Sequence, residues 1–116
     1  MNDEVIELAT KYIALEWARK MIEHDLAKVQ KAGLKHPTLF EQAAVRVLDQ
    51  ISLQMRDVKQ EMRQKGIKIH YVGKQTKHYD AVVYDVYAGG RHERYEMSTG
   101  VLRGHVFECL ETIAHK

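Results

Sequence analysis

Arg63-Gln64-Lys65-Gly66-Ile67-Lys68-Ile69-His70-Tyr71-Val72 is the stretch in which the chain changes its period. Upstream of it Ala44, Leu48, Ile51, Met55, Val58 and Met62 recur at steps of four and three. Such steps average about 3.5 residues and mark one seam of a helix lying along another. Downstream, Ile67, Ile69 and Tyr71 alternate with Lys68, His70 and Val72, the two-residue period of a strand with one face buried. Gly66 between the two suits a helix C-cap, since it takes left-handed backbone without a Cβ clash. A helix that stops there and a strand that starts there predict an α+β fold.

Working towards the N-terminus, Thr38-Leu39-Phe40-Glu41 reads as a capping box that starts the second helix, with a hydroxyl at the N-cap and a carboxylate three residues on. Before it, Val5, Leu8, Ala9, Tyr12, Leu15, Ala18 (or Arg19), Ile22, Leu26 and Val29 predict a first helix from about Asp3 to Lys31. Glu4 and Glu7 favour its positive end, Gly33 suits its C-cap, and Pro37 blocks continuation. At 1.5 Å per residue each helix is roughly 40 Å long, and the short link makes them antiparallel. Residues 1–65 are therefore expected to form a helical hairpin. Ile6, Ile13, Trp17 and Met21 on the first helix, and Val45, Val47 and Leu53 on the second, lie off the shared seam. That is more apolar circumference than one partner helix covers. Either the sheet packs across the hairpin or a second protomer does, and a homodimer or higher homo-oligomer is the expectation. Trp17, Met21, Met55 and Met62 are assigned to packing.

Towards the C-terminus, Tyr79 to Tyr87 is a β-branched and aromatic run, Ala88-Gly89-Gly90 is a turn, and His92 to Met97 can pair back. Residues 66–97 thus predict a three-stranded antiparallel sheet, with Tyr95 and Met97 on one face and His92, Arg94 and Glu96 on the other. Ser98 suits the N-cap of a last helix over residues 98–116, whose stripe is Leu102, Val106, Cys109, Leu110 and Ile113. Gly100 and Gly104 weaken that helix or let another backbone come close. The predicted order is α-α-β-β-β-α in a single domain spanning residues 1–116.

Composition narrows the function classes. The 116 residues carry a formal charge of +2, too little to imply nucleic acid by itself. Residues 1–65 hold 11 Lys/Arg against 10 Asp/Glu, and residues 66–116 hold 7 against 6, so charge is even along the chain. Chemistry is not even, because five of seven histidines and five of six tyrosines follow Lys65. Cys109 is the one cysteine, which excludes an internal disulfide framework. No apolar run approaches the roughly 20 residues that span a bilayer, and Met1-Asn2-Asp3-Glu4 lacks the basic start of a signal peptide. A cytoplasmic protein is expected.

No motif for catalysis stands out. His70, His78, His92 and His105 fall on different elements, and His105 with Cys109 is the nearest approach to metal-ligand spacing. A histidine beside Asp80, Asp85 or Glu93 could act as a base, but no nucleophile, base and orienting group group together. A non-enzyme without cofactor or metal is the expectation. The residues that point to a ligand lie at the sheet-to-helix junction. Ser98-Thr99-Gly100 opens a helix whose free N–H groups can receive an anion. Arg91, Arg94 and Arg103 are near in sequence and suit phosphate, and tyrosines such as Tyr79 can stack on a base. The candidate ligand-binding residues are Tyr79, Arg91, His92, Arg94, Ser98, Thr99 and Arg103, and the candidate ligand is a small nucleotide. A capped helix with solvated charges is the plainer alternative.

Two long helices ending in RQKGIKI (Arg63 to Ile69), the hairpin YDAVVYDVYAGGRHERYEMS (Tyr79 to Ser98) and the closing TGVLRGHVFECL (Thr99 to Leu110) resemble small phage and prophage proteins of Gram-positive bacteria. Among these the layout is similar to the first type of Thoeris anti-defence protein. The resemblance implies an oligomeric, non-catalytic sponge, in the host bacterial cytoplasm, for a cyclic ADP-ribose signal or a cyclic oligonucleotide. It implies Tyr79, Arg91, Arg94 and Arg103 as ligand contacts. Two other readings stay open. One is a nucleic-acid-binding or transcription-modulating protein that uses Lys68, His70, His92 and Arg94, with binding that falls steeply with salt. The other is a helical adaptor for a host protein.

Overall fold

A computed structural model describes residues 2–33 and 38–115, the side chain of Thr38 excepted. The elements are α1 (Asp3–Lys31), α2 (Thr38–Gln64), β1 (Ile67–Gln75), β2 (Ala81–Ala88), β3 (Arg91–Ser98) and α3 (Thr99–Ala114). The α+β fold and the α-α-β-β-β-α order are those expected. Among the described residues no helix is long and apolar enough to cross a membrane.

Local signals account for most boundaries. Asn2, which the periodicity did not single out, caps α1 by accepting the Val5 N–H at 2.9 Å. Gly33 and Gly66 follow α1 and α2 with φ of 61° and 68°, the left-handed conformation that ends a helix cheaply only at glycine. Pro37 and the side chain of Thr38, on which the capping box and the helix stop depend, lie outside the described residues. Ser98 caps α3 by accepting the Val101 N–H at 3.2 Å. A Cβ at Gly100 or Gly104 would meet nothing within 4 Å. Neither admits a close backbone, so both only weaken α3.

The sheet runs β1-β2-β3, antiparallel throughout. Tyr84 pairs with Tyr71 and Tyr95, and Val82 with Met97, so these side chains share the inner face. His92 pairs with Tyr87, Arg94 with Asp85, and Asp85 with His70, so these share the outer face, as the parity of β3 predicts. One irregularity redirects a side chain. The register slips between Tyr71 and Gly73, where Gly73 has φ of 151°. Strict alternation from Ile67 would put Lys74 outside with Lys68 and His70. The bulge instead pairs Lys74 with Val82 and turns it to the inner face, a known use of bulges.

The core lies between α1, α2, α3 and the inner face. Ile13, Leu15, Ile51 and Tyr84 are its largest fully buried side chains, and a fully buried aliphatic of this size contributes about 1.5–3 kcal/mol. The predicted seam of α2 is buried at Ala44, Ile51, Met55, Val58 and Met62. The surplus apolar circumference of α1 is taken up within the chain. Ile13 is buried, and Trp17 and Met21 pack against the core beneath the sheet. Ile6, Val45 and Leu53 remain exposed in the single chain. The far end of the hairpin is thinly covered: beyond Ala18 no side chain of α1 is fully buried, and Leu39 at the start of α2 is 81% exposed.

Candidate functional site

A cavity of about 640 Å³ opens where α1, the end of β1, the start of β2 and the first two turns of α3 converge. Trp17, Lys20, Met21 and His24 line it from α1, spaced three, one and three residues apart and so on one helix face. Lys74 and Gln75 line it from β1, Thr76 and Asp80 from the loop between β1 and β2, Ala81 and Val82 from β2, and Thr99, Leu102, Arg103 and Val106 from α3.

Trp17 is held from two sides. The indole Nε1–H donates to the Tyr84 hydroxyl at 2.7 Å, and Tyr84 is wholly buried. Burial, with the Glu16 carboxylate behind it, raises the Tyr84 phenol above its ordinary value. Burial and Glu16 do the same to Tyr12. Tyr71 meets the indole edge-on, with centroids 5.9 Å apart. Hydrogen-bonded and flanked by rings, the indole is fixed before any ligand arrives.

Cations sit on this ring. The Lys20 ammonium lies 4.7 Å from the Trp17 centroid and 5.4 Å from that of Tyr71, and Lys74 lies 5.8 Å from Trp17. Their tethers differ. Lys20 also pairs with Glu16 at 3.4 Å, one helical turn earlier. Lys74 has no carboxylate within 4.0 Å, and Arg103 has neither an ion pair nor a hydrogen bond, among the described residues. Asp80 is the one carboxylate among the lining residues, and its backbone carbonyl accepts the Thr99 N–H at 2.8 Å. Lys20, Lys74 and Arg103 against Asp80 leave the wall net positive, beside a rigid aromatic plane and the apolar Met21, Leu102 and Val106.

The seven residues expected at the site fall in three places. Thr99 and Arg103 line this cavity, and Ser98 adjoins it as the α3 cap. The helix N-terminus offers less to an anion than the sequence implies, because Asp80 and Ser98 already take the Thr99 and Val101 N–H groups. Tyr79, His92 and Arg94 stand on the outer side of the sheet. There Tyr79 donates to Glu96 at 3.1 Å, while His92 and Arg94 both donate to Asp85, at 3.0 and 3.2 Å. Those two donors, His92 first, hold the Asp85 carboxyl below its ordinary value. The bond to Glu96 raises the Tyr79 phenol. Tyr87 stacks on His92 at 4.5 Å, and His70 meets Tyr87 edge-on. Arg91 lies at the opposite end of the sheet, in a depression with Asn2, Glu4 and Lys65. A single pyrophosphate therefore cannot sit against Arg91, Arg94 and Arg103 together.

Trp17 and Met21, read from the sequence as packing residues, both pack and line the cavity. Lys20, His24 and Lys74 were not read as site residues. The signal available for the α1 group was the second stripe of Ile13, Trp17 and Met21, with Lys20 and His24 interleaved. His105 and Cys109 line a separate depression between the helices, where burial raises the Cys109 thiol. Among the described residues no three His, Cys, Asp or Glu side chains are placed to hold a metal ion.

Residues 1–116 match the family described as YhjD protein, and the chain belongs to that family. Neither the curated proteins nor the solved structures give a match.

Proposed function

We infer that this member of the YhjD family is a non-enzymatic receptor for a small nucleotide-derived anion, held in the cavity between Trp17 and Arg103. One observation carries the reading. A fixed indole shares a 640 Å³ cavity with two cations, Lys74 and Arg103, that have no carboxylate partner among the described residues. Aromatic planes take bases and unpaired arginines take phosphates, and the volume is that of a ligand pocket rather than a packing defect.

The finer reading is sequestration of a signalling nucleotide of the cyclic ADP-ribose or cyclic oligonucleotide type, to counter host immune signalling, by a cytoplasmic homo-oligomer. The exposed apolar residues Leu39, Phe40, Val45 and Leu53 of α2 support association through the hairpin. The outer face supports a nucleic-acid role less well, since Asp85 already takes His92 and Arg94.

Trp17 is the single tryptophan, so its fluorescence reports on the cavity. Purified protein titrated with cyclic ADP-ribose isomers, ADP-ribose, mononucleotides and cyclic oligonucleotides should show an emission change. It should also show a rise in melting temperature with at least one of them, as linkage requires of a ligand that binds the native state. No response to any of them overturns the proposal. Light scattering of the same sample tests the oligomer, and a monomer at tens of micromolar removes that part alone.

A further inference from the structure

We propose that Lys74 is an exchangeable cover on Trp17, so that the cavity favours an aromatic ring whose own attached anion draws Lys74 away. The proposal rests on the nucleotide reading above and specifies which ligands satisfy it. In the free protein the ring is occupied, with the Lys20 and Lys74 ammonium groups 4.7 and 5.8 Å from the indole centroid. The two are held differently. Lys20 is tied to the Glu16 carboxylate at 3.4 Å and lies against Tyr71 as well, so it stays in place. Lys74 has no ion pair or side-chain hydrogen bond beside the ring contact among the described residues, is exposed, and reaches the cavity because the bulge at Tyr71–Gly73 reverses its direction.

A cation–ring contact at an exposed site is weaker than a charge-assisted bond to a phosphate oxygen. A phosphate arriving between Lys74 and Arg103 therefore wins the ammonium, and its departure frees the part of the ring that Lys74 holds, while Lys20 keeps its own place on the indole. A ring tethered to that phosphate then stacks without having to displace the cation itself. A nucleoside lacks the anion and must compete with Lys74 for the ring. Inorganic phosphate draws Lys74 away but leaves the plane unused. Only the joined molecule gains both contacts, so affinity for the whole exceeds what its halves predict. Rigidity of the indole, pinned to Tyr84 at 2.7 Å, makes this an exchange on one surface rather than a rearrangement of the wall.

The experiment compares adenosine, adenosine 5′-monophosphate and inorganic phosphate, by calorimetry and Trp17 fluorescence, on the wild type, Lys74→Gln and Lys74→Arg. In Lys74→Gln adenosine should bind about two- to fivefold tighter than in the wild type, the weight of one exposed cation–ring contact. The monophosphate should bind about tenfold weaker or worse in that variant. Lys74→Arg, which keeps both the ring contact and the anion contact, should stay within about threefold of the wild type for both ligands. A lysine that only attracts phosphate would leave adenosine untouched. Unchanged or weaker adenosine binding in Lys74→Gln overturns the exchange and leaves the receptor reading standing if the monophosphate still binds the wild type. No binding of either adenine ligand to any form overturns the exchange, whereas the receptor reading falls only if the wider nucleotide set also fails.

Discussion

The two faces of the sheet carry the same kinds of side chain in opposite states. Tyrosine, histidine, lysine and arginine stand on both. On the outer face the arginine, one histidine and a tyrosine are engaged by neighbours: Asp85 takes His92 and Arg94, and Glu96 takes Tyr79. On the cavity side Lys74 and Arg103 have no such partner among the described residues, while the ring beside them is pinned. Residue type alone does not make an anion site. A cation already paired must break that pair before it binds anything, so the availability of charge, and not its count, separates the two faces.

The largest break in this comparison should come from Trp17→Ala. The substitution removes a half-buried indole, its bond to Tyr84 and its contact with Tyr71. A stability loss of about 2–4 kcal/mol is expected, less than for a fully buried tryptophan. Urea unfolding measures it, and every nucleotide response should vanish in the folded fraction. A loss below about 1 kcal/mol would mean that the indole is not fixed and that the cavity wall is soft.

A paired substitution sharpens the contrast. Arg103→Ala should weaken a phosphate-bearing ligand by about 1.5–3 kcal/mol, the weight of a hydrogen bond to a charged group, with little change in melting temperature, because Arg103 is exposed and has no ion pair or hydrogen bond among the described residues. Arg94→Ala should leave the same affinity within about twofold, since Arg94 faces the opposite side and is engaged with Asp85. Isothermal titration on the two variants decides the matter. Equal losses, or a larger loss at Arg94, would move the site to the outer face and restore the arginine cluster expected from the sequence.

The fold was legible in the sequence because periodicity reports it directly. The α2 seam, the change at Gly66 and the Ser98 cap are local signals, and the three helices, β2 and β3 formed within a residue or two of their expected bounds, while β1 runs on past the bulge to Gln75. Even the parity of β3, which sends His92 and Arg94 away from Met97, could be read from the alternation. The lining of the cavity was only half legible. Arg103 and Thr99, which line it, were singled out because the helix start that carries them is a local feature. Trp17 and Lys20 stand more than fifty residues from Lys74, and only the passage of α1 beneath the sheet brings them together. Lys74 was hidden for a second reason. A bulge reverses alternation, and Gly73 was the single hint that alternation from Ile67 would fail. Pairing was hidden most deeply, because whether an arginine has a carboxylate depends on register, which His92, Arg94 and Asp85 acquire only when β2 and β3 align.

The smallest effect tests the outer face on its own terms. Asp85 is held below its ordinary value first by His92 and then by Arg94. A carboxyl lowered in the fold stabilises the native state fully above its unfolded value, about 3.9. It loses that contribution as pH falls through the folded value, so the effect is confined to pH below about 4. In His92→Ala the Asp85 titration, followed by carboxyl carbon NMR, should move up towards the ordinary range without reaching it, because Arg94 still donates at 3.2 Å. Acid unfolding should then begin at slightly higher pH than in the wild type, while nucleotide affinity at neutral pH stays where it was. An Asp85 titration that ignores the loss of His92 would mean that the His92 pair does not hold in solution. The histidine there would then be as free as Lys74 and Arg103, and the difference between the two faces would rest on the Arg94 pair and the fixed indole.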